Sequence, residues 1–195
     1  MPGESSAGKG VPVNERKYPD MWVDPEDDPR DTGTQAVGER AVLIDYLQHY
    51  RKTLEMKCEG LDAEQMARRS VPPSTLSLLG LVRHLAKVEN SWFQRVMGHR
   101  LDLPRLYRTE EQPDLDFNGA VADPAVVRDA WASWRREVAA AEKVVDDAPD
   151  LDVEGVMEDG TIALREVLVH MIEEYARHLG HADLLRECID GRTGQ

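Results

Sequence analysis

Apolar residues along most of the chain recur at three- and four-residue steps, the spacing that lines one face of an α-helix. The pattern is clearest near the C-terminal end, where Leu164, Leu168, Met171, Tyr175, Ala182 and Leu185 form one stripe and His178 falls on it. A helix over 163–188 follows. Leu43, Tyr46, Leu47, Tyr50 and Leu54 predict a helix over 37–58, stopped by Gly60. Leu78, Leu81, Leu85, Val88, Trp92 and Val96 predict one over 75–97, capped by Ser74 or Thr75 and closed by Gly98. Asp123-Pro124, a cap acceptor followed by proline at the first helical position, starts another over 124–146, with Val127, Trp131, Trp134, Val138 and Ala141 facing inward. Four such amphipathic helices with almost no strand signal mean an all-α fold, a four-helix bundle.

The stretches between the stripes are informative by their lack of period. Residues 1–36 hold Pro2, Pro12, Pro19, Pro25 and Pro29 among many Gly, Ser, Asp and Glu, too little apolar area to offset the entropy of ordering. They read as an N-terminal extended arm, docked on the body (37–195) through Met21 and Trp22, because a lone exposed tryptophan is an unfavourable use of apolar surface. Its acidic run, Asp24, Glu26, Asp27 and Asp28, lacks the central Gly and terminal Glu of a calcium loop and reads as a solvated turn. Residues 99–122 gather Pro104, Pro113, Asn118 and Gly119 into a long excursion between helices, a kind of segment that often carries function. Around Asp159-Gly160, residues 153–157 suggest one short extended piece.

Composition narrows the function classes. The 195 residues carry 37 acidic against 24 basic side chains, a formal charge of −13, whereas phosphate binding draws on clustered Lys and Arg. Nucleic acid is not an expected partner. No uninterrupted apolar run reaches the roughly 20 residues needed to cross a bilayer, and the opening MPGESSAGKGVP lacks the apolar segment of a signal peptide. A cytoplasmic protein with no membrane partner is expected. Cys58 and Cys188 lie far apart in helix-like sequence and read as small buried apolar residues, neither a disulfide framework nor nucleophiles.

Chemistry concentrates on the histidines. Helix bundles build metal sites from His and carboxylate side chains pointing inward, and His84, Glu174 and His178 sit on inward stripes of two predicted helices. Glu174 and His178 are four apart, stacked neighbours on a helix. His170 precedes Glu174 by four, but His170 and His178 would lie about 12 Å apart along the axis, too far for one ion. A third ligand must therefore come from another helix. Two nitrogens and one carboxylate oxygen suit zinc with an open fourth position; iron or nickel also fit. His49 lies off its stripe and reads as an exposed residue. Spacing alone leaves a bland alternative open, a hydrogen-bonded core histidine and a simple Glu–His salt bridge, since periodicity cannot bring His84 and His178 together.

The segments LGLVRHLAKVENSWFQRV (79–96) and LREVLVHMIEEYARHLGHADLLRECIDGRTG (164–194) resemble the DinB-like superfamily, most of all its mycothiol transferase branch, near the metal-binding domain of mycothiol-dependent maleylpyruvate isomerase. The resemblance also covers 57–80 and, more loosely, WVDPEDDPR (22–30). It implies a DinB-like four-helix bundle whose divalent metal, zinc by preference, is held by His84, Glu174 and His178. Many relatives have His where Glu174 stands; Glu points to the isomerase-like branch. It also implies a metal-dependent S-transferase that adds mycothiol to a small electrophilic substrate. Helix geometry, if the bundle turns that face to the site, adds His181, one turn after His178, and Arg177 as candidates to support the ligands or bind the thiol. Two other classes stay open: a metal-binding bundle without turnover, or one paired as a homodimer through a Trp-bearing face, and a metal hydrolase with Glu173 as base. Glu173 should point about 100° from Glu174, which disfavours the hydrolase.

Overall fold

In a computed structural model the chain is described over residues 17–194; expectations for the preceding part of the arm, including Pro2 and Pro12, lie outside the described residues. The elements are α1 (Glu39–Cys58), α2 (Ala63–Ala67), α3 (Leu78–Glu89) with a π-helical continuation (Asn90–Met97), α4 (Leu115–Asn118), α5 (Pro124–Asp147), β1 (Glu154–Met157), β2 (Gly160–Ala163) and α6 (Leu164–Asp190). The long helices pack as a bundle, α1 against α6, α3 against α5, and α3 against α6. The extended piece expected near Asp159-Gly160 is one strand of an antiparallel hairpin, with Met157 opposite Gly160 across the two-residue turn Glu158-Asp159.

Each helix has a local reason for its limits. Asp123 accepts a hydrogen bond from the Ala125 amide, and Pro124 opens α5. For α3 the cap is Ser77, which accepts from the Gly80 amide, and not Ser74 or Thr75. α6 ends at Gly191, whose φ of 77° is the left-handed position that glycine enters without strain.

The stripe on the second long helix changes where the helix changes type. Beyond Glu89 the backbone widens to five-residue bonds, with the Gly98 amide on the Phe93 carbonyl and the Arg100 amide on that of Arg95. The wider turn rotates the following side chains, so Phe93, Arg95 and Met97 are buried, while Trp92 and Val96, expected inside on an α-helical period, are only half-buried. Two further expectations fail. Tyr46 is 55% exposed, because α1 turns Leu47, Arg51 and Leu54 inward instead, and Cys188 is exposed on the outer face of α6.

A buried polar chain ties the four long helices together. Arg51 of α1 donates two hydrogen bonds to the carboxylate of Glu89 on α3, at 2.8 and 2.7 Å. Tyr175 of α6 donates to the same carboxylate at 2.8 Å, and Trp134 of α5 donates its indole N–H to the Tyr175 oxygen at 2.8 Å. Burial alone would discourage the Arg51 charge, but the adjacent Glu89 carboxylate more than offsets that and holds the guanidinium protonated. The arm is anchored by Trp22, 1% exposed, whose ring lies 3.7 Å from the guanidinium carbon of Arg192 and 4.0 Å from the Lys57 ammonium. No helix among the described residues is long and apolar enough to cross a membrane.

Two outcomes follow. Glu89→Ala leaves Arg51 charged and buried without its partner and should cost about 3–5 kcal/mol in urea unfolding, whereas an apolar pair at both positions should recover much of the loss. Burial pushes the Cys58 thiol up to about 12, so at pH 8 it has almost no thiolate. Iodoacetamide at that pH should label Cys188 in the native protein and Cys58 only after denaturation, as peptide mass mapping would read.

Candidate metal centre

Three side chains named from the sequence meet where α3 and α6 face each other. His84, Glu174 and His178 each offer one ligand atom, and these atoms lie within 4.8 Å of one another. Among the described residues this is the one group of three or more His, Cys, Asp or Glu side chains so arranged. Their order follows from helix geometry. Glu174 and His178 stack one turn apart on α6, with His178 Nε2 3.4 Å from Glu174 Oε2. His84 comes across from α3, its Nε2 3.8 Å from the same oxygen and its ring 4.6 Å from that of His178.

The other edge of His84 is held by a residue that sequence reasoning missed. Asp116, on the single turn α4 inside the long excursion, is fully buried, and its Oδ2 lies 2.9 Å from His84 Nδ1. An ionised Asp116 accepts the proton on Nδ1, so Nε2, which faces Glu174 and His178, is the nitrogen whose lone pair a bound ion would take. Burial works against that charge, but hydrogen bonds with His84 and Lys87, with the charge of Lys87 added, hold the Asp116 carboxyl below the usual range. Lys87 lies one turn beyond Arg83 on α3 and bonds the same oxygen. Asp116 Oδ1 is buried and accepts no hydrogen bond among the described residues.

The excursion is pinned so that Asp116 cannot drift. Arg83 donates to the carbonyls of Asp116 and Leu115, both at 2.9 Å, and stacks on Tyr107 at 3.9 Å. Phe117 stacks on His84 with ring centroids 5.2 Å apart. Gly80 makes room for this approach: a Cβ there would come within 2.8 Å of the Phe117 ring.

The remaining polar groups divide around Glu174. Its second oxygen, Oε1, lies 3.3 Å from His170 Nε2, and the His170 ring packs against Trp92 at 4.6 Å. Hydrogen bonds with His178 and then His84 hold the Glu174 carboxyl well below its ordinary range. His181 Nδ1 sits 3.4 Å from His178 Nδ1, and burial, with the charges of His178 and Arg177, keeps its imidazole biased toward neutral. Arg177 is exposed, as is Glu173 on the face of α6 turned away from Glu174. His49 is exposed on α1.

Glu174 and His170 also form one wall of a cleft of about 470 Å³. Val88, Trp92 and Val96 line it from α3 and its continuation, Leu101 and Arg105 from the excursion, and Met157 to Asp159 from the hairpin turn. A two-nitrogen, one-oxygen donor set beside an open cleft fits a divalent ion with a coordination position left for substrate. The two carboxylates flanking His84 add the negative charge that such an ion requires.

Comparison with known families covers most of the chain. Residues 42–191 match the family model for mycothiol-S-transferase, a span from α1 to the end of α6 that includes His84, Asp116, Glu174 and His178. No curated protein is similar enough to the chain to count as a match. The helical bundle, its hairpin and the matched span together make the chain a member of the mycothiol-S-transferase family, a transferase of DinB-like fold.

Proposed function

We propose that the protein joins mycothiol to a small electrophile in the cleft beside Glu174, using a divalent ion, zinc by its donor chemistry, held by His84, Glu174 and His178. The observation that carries this reading is the meeting of three ligand atoms within 4.8 Å, with Glu174 among them in the wall of an open cleft, in a chain of this family. When bound there, such an ion supplies the charge that lowers a thiol's pKa and fixes the position of its sulfur.

The chain's own residues do the rest. Asp116 keeps the His84 proton on Nδ1, so that Nε2 stays available, and Lys87 offsets the Asp116 charge. His170 takes Oε1 of Glu174 and so sets the carboxylate's rotation, leaving Oε2 for the two histidines. Val88, Trp92, Val96 and Met157 exclude water from the electrophile, which keeps the sulfur nucleophilic. In the overall reaction the thiol loses its proton to solvent and its sulfur bonds to carbon, while a leaving group departs with the bonding pair or an epoxide C–O bond opens.

Separate His84→Ala and His178→Ala variants should stay folded by circular dichroism but lose tight zinc retention, measured by elemental analysis, and thiol transfer with it. Asp116→Asn keeps the shape but not the charge behind His84 and should weaken zinc affinity by about 10–100-fold. Full zinc content and wild-type turnover in His84→Ala would contradict the ligand assignment.

A further inference from the structure

Arg95 lines the cleft beside Trp92 and Val96. It is only 8% exposed, yet its guanidinium has no hydrogen bond or ion pair to any acceptor among the described residues. The other buried arginines are all spoken for: Arg51 by Glu89, Arg83 by two carbonyls, and Arg186 by Asp190 and the carbonyls of Lys57 and Glu59. The Arg95 stem is buried while its nitrogens, without a protein acceptor among the described residues, open to the cleft, and five N–H donors in a planar fork match a carboxylate.

Arg95 reaches its place through the π-helical turn. The widened backbone between Asn90 and Met97 brings residue 95 inward, and the Arg95 carbonyl is itself held by the Arg100 amide at 2.8 Å. π-turns of this kind often stand at functional sites.

The acids nearby do not satisfy it. Glu158 is 80% exposed at its side chain and pairs with Arg105 at 3.7 Å, and Asp102 is exposed, so water screens both from Arg95. Glu174 shares the cleft wall but is engaged by His84, His170 and His178. Val88, Trp92, Val96, Leu101 and Met157 give the cleft an apolar part, beside the polar lining of Ser91, Asp159 and His170.

We propose that Arg95 binds a carboxylate carried by the electrophile, and that the cleft therefore selects substrates with an apolar body and one anionic end. The inference deepens the transferase reading and rests on it for the word electrophile, but binding tests it separately from turnover. Trp92 lies in the cleft wall, so its fluorescence can report occupancy. The probes are 4-methylbenzoate and its neutral amide, 4-methylbenzamide, titrated into wild-type protein and the Arg95→Gln, Arg95→Lys and His84→Ala variants.

Arg95→Gln should weaken 4-methylbenzoate binding by about tenfold or more while changing the amide by less than about threefold, the difference expected for a charge-assisted hydrogen bond. Arg95→Lys, which keeps the charge without the fork, should fall between, and serves if the glutamine variant does not fold. His84→Ala should keep the preference for 4-methylbenzoate over the amide. Equal loss of both probes in the Arg95 variants would assign the residue to structure and overturn the proposal. So would unchanged or undetectable 4-methylbenzoate binding in wild type and Arg95→Gln, or its loss in His84→Ala alone, which would place the carboxylate on the ion. If His84→Ala instead keeps zinc and turnover, the metal reading fails while the Arg95 result still stands.

Discussion

The buried pair of Arg51 and Glu89 is the constraint on which the rest of the bundle depends. A bidentate ion pair at 2.7–2.8 Å admits little rotation of α1 against α3, and Tyr175 and Trp134 extend the same restraint to α6 and α5. Removing both ions from water cancels much of the Coulomb gain, so the chain's main effect is on the angle at which each helix faces its neighbours. That angle decides the site. Glu89 is five residues from His84 on α3, and Tyr175 lies between Glu174 and His178 on α6, so fixing Glu89 against Tyr175 also turns the three polar side chains toward one another.

The excursion completes what the helices begin. Helices deliver His84, Glu174 and His178, but a histidine ring can still rotate and change tautomer. Asp116 removes that freedom by lying behind Nδ1, and Arg83, Lys87 and Phe117 hold Asp116 in turn. One segment thus serves two purposes: Asp116 and Phe117 set the back of the site, while Leu101 and Arg105 border the cleft in front. A family built on a bundle can keep the helices and vary such a segment to change what enters the cleft.

Much of this was legible in the sequence because helical periodicity is a strong signal over 20 residues. The four long helices and the inward placement of His84, Glu174 and His178 follow from it, and the Asp123-Pro124 start follows from cap chemistry. Arg51 and Glu89 were not singled out, although each stands four residues beyond an apolar stripe residue, Leu47 and Leu85, where a charge calls for a buried partner. Other features have no local signature. A π-turn costs one residue of register and cannot be seen in the period, so Trp92 and Val96 were placed where Phe93 and Met97 stand. Asp116 lies in a stretch without period, and only the tertiary fold carries it across to His84. Cys188 misled because a small residue near a helix end is tolerated on either face, and α6 had already turned Leu185 and Arg186 inward.

The central claim is that α3 and α6 converge to hold one ion, and anomalous diffraction from crystals of the zinc-loaded protein, recorded on both sides of the zinc edge, tests it most directly. The account predicts one strong zinc peak about 2.0–2.2 Å from a ring nitrogen of His84, a ring nitrogen of His178 and an oxygen of Glu174, with a further position open to the cleft. A peak held by other side chains, or none at this junction in protein that retains zinc, would contradict it.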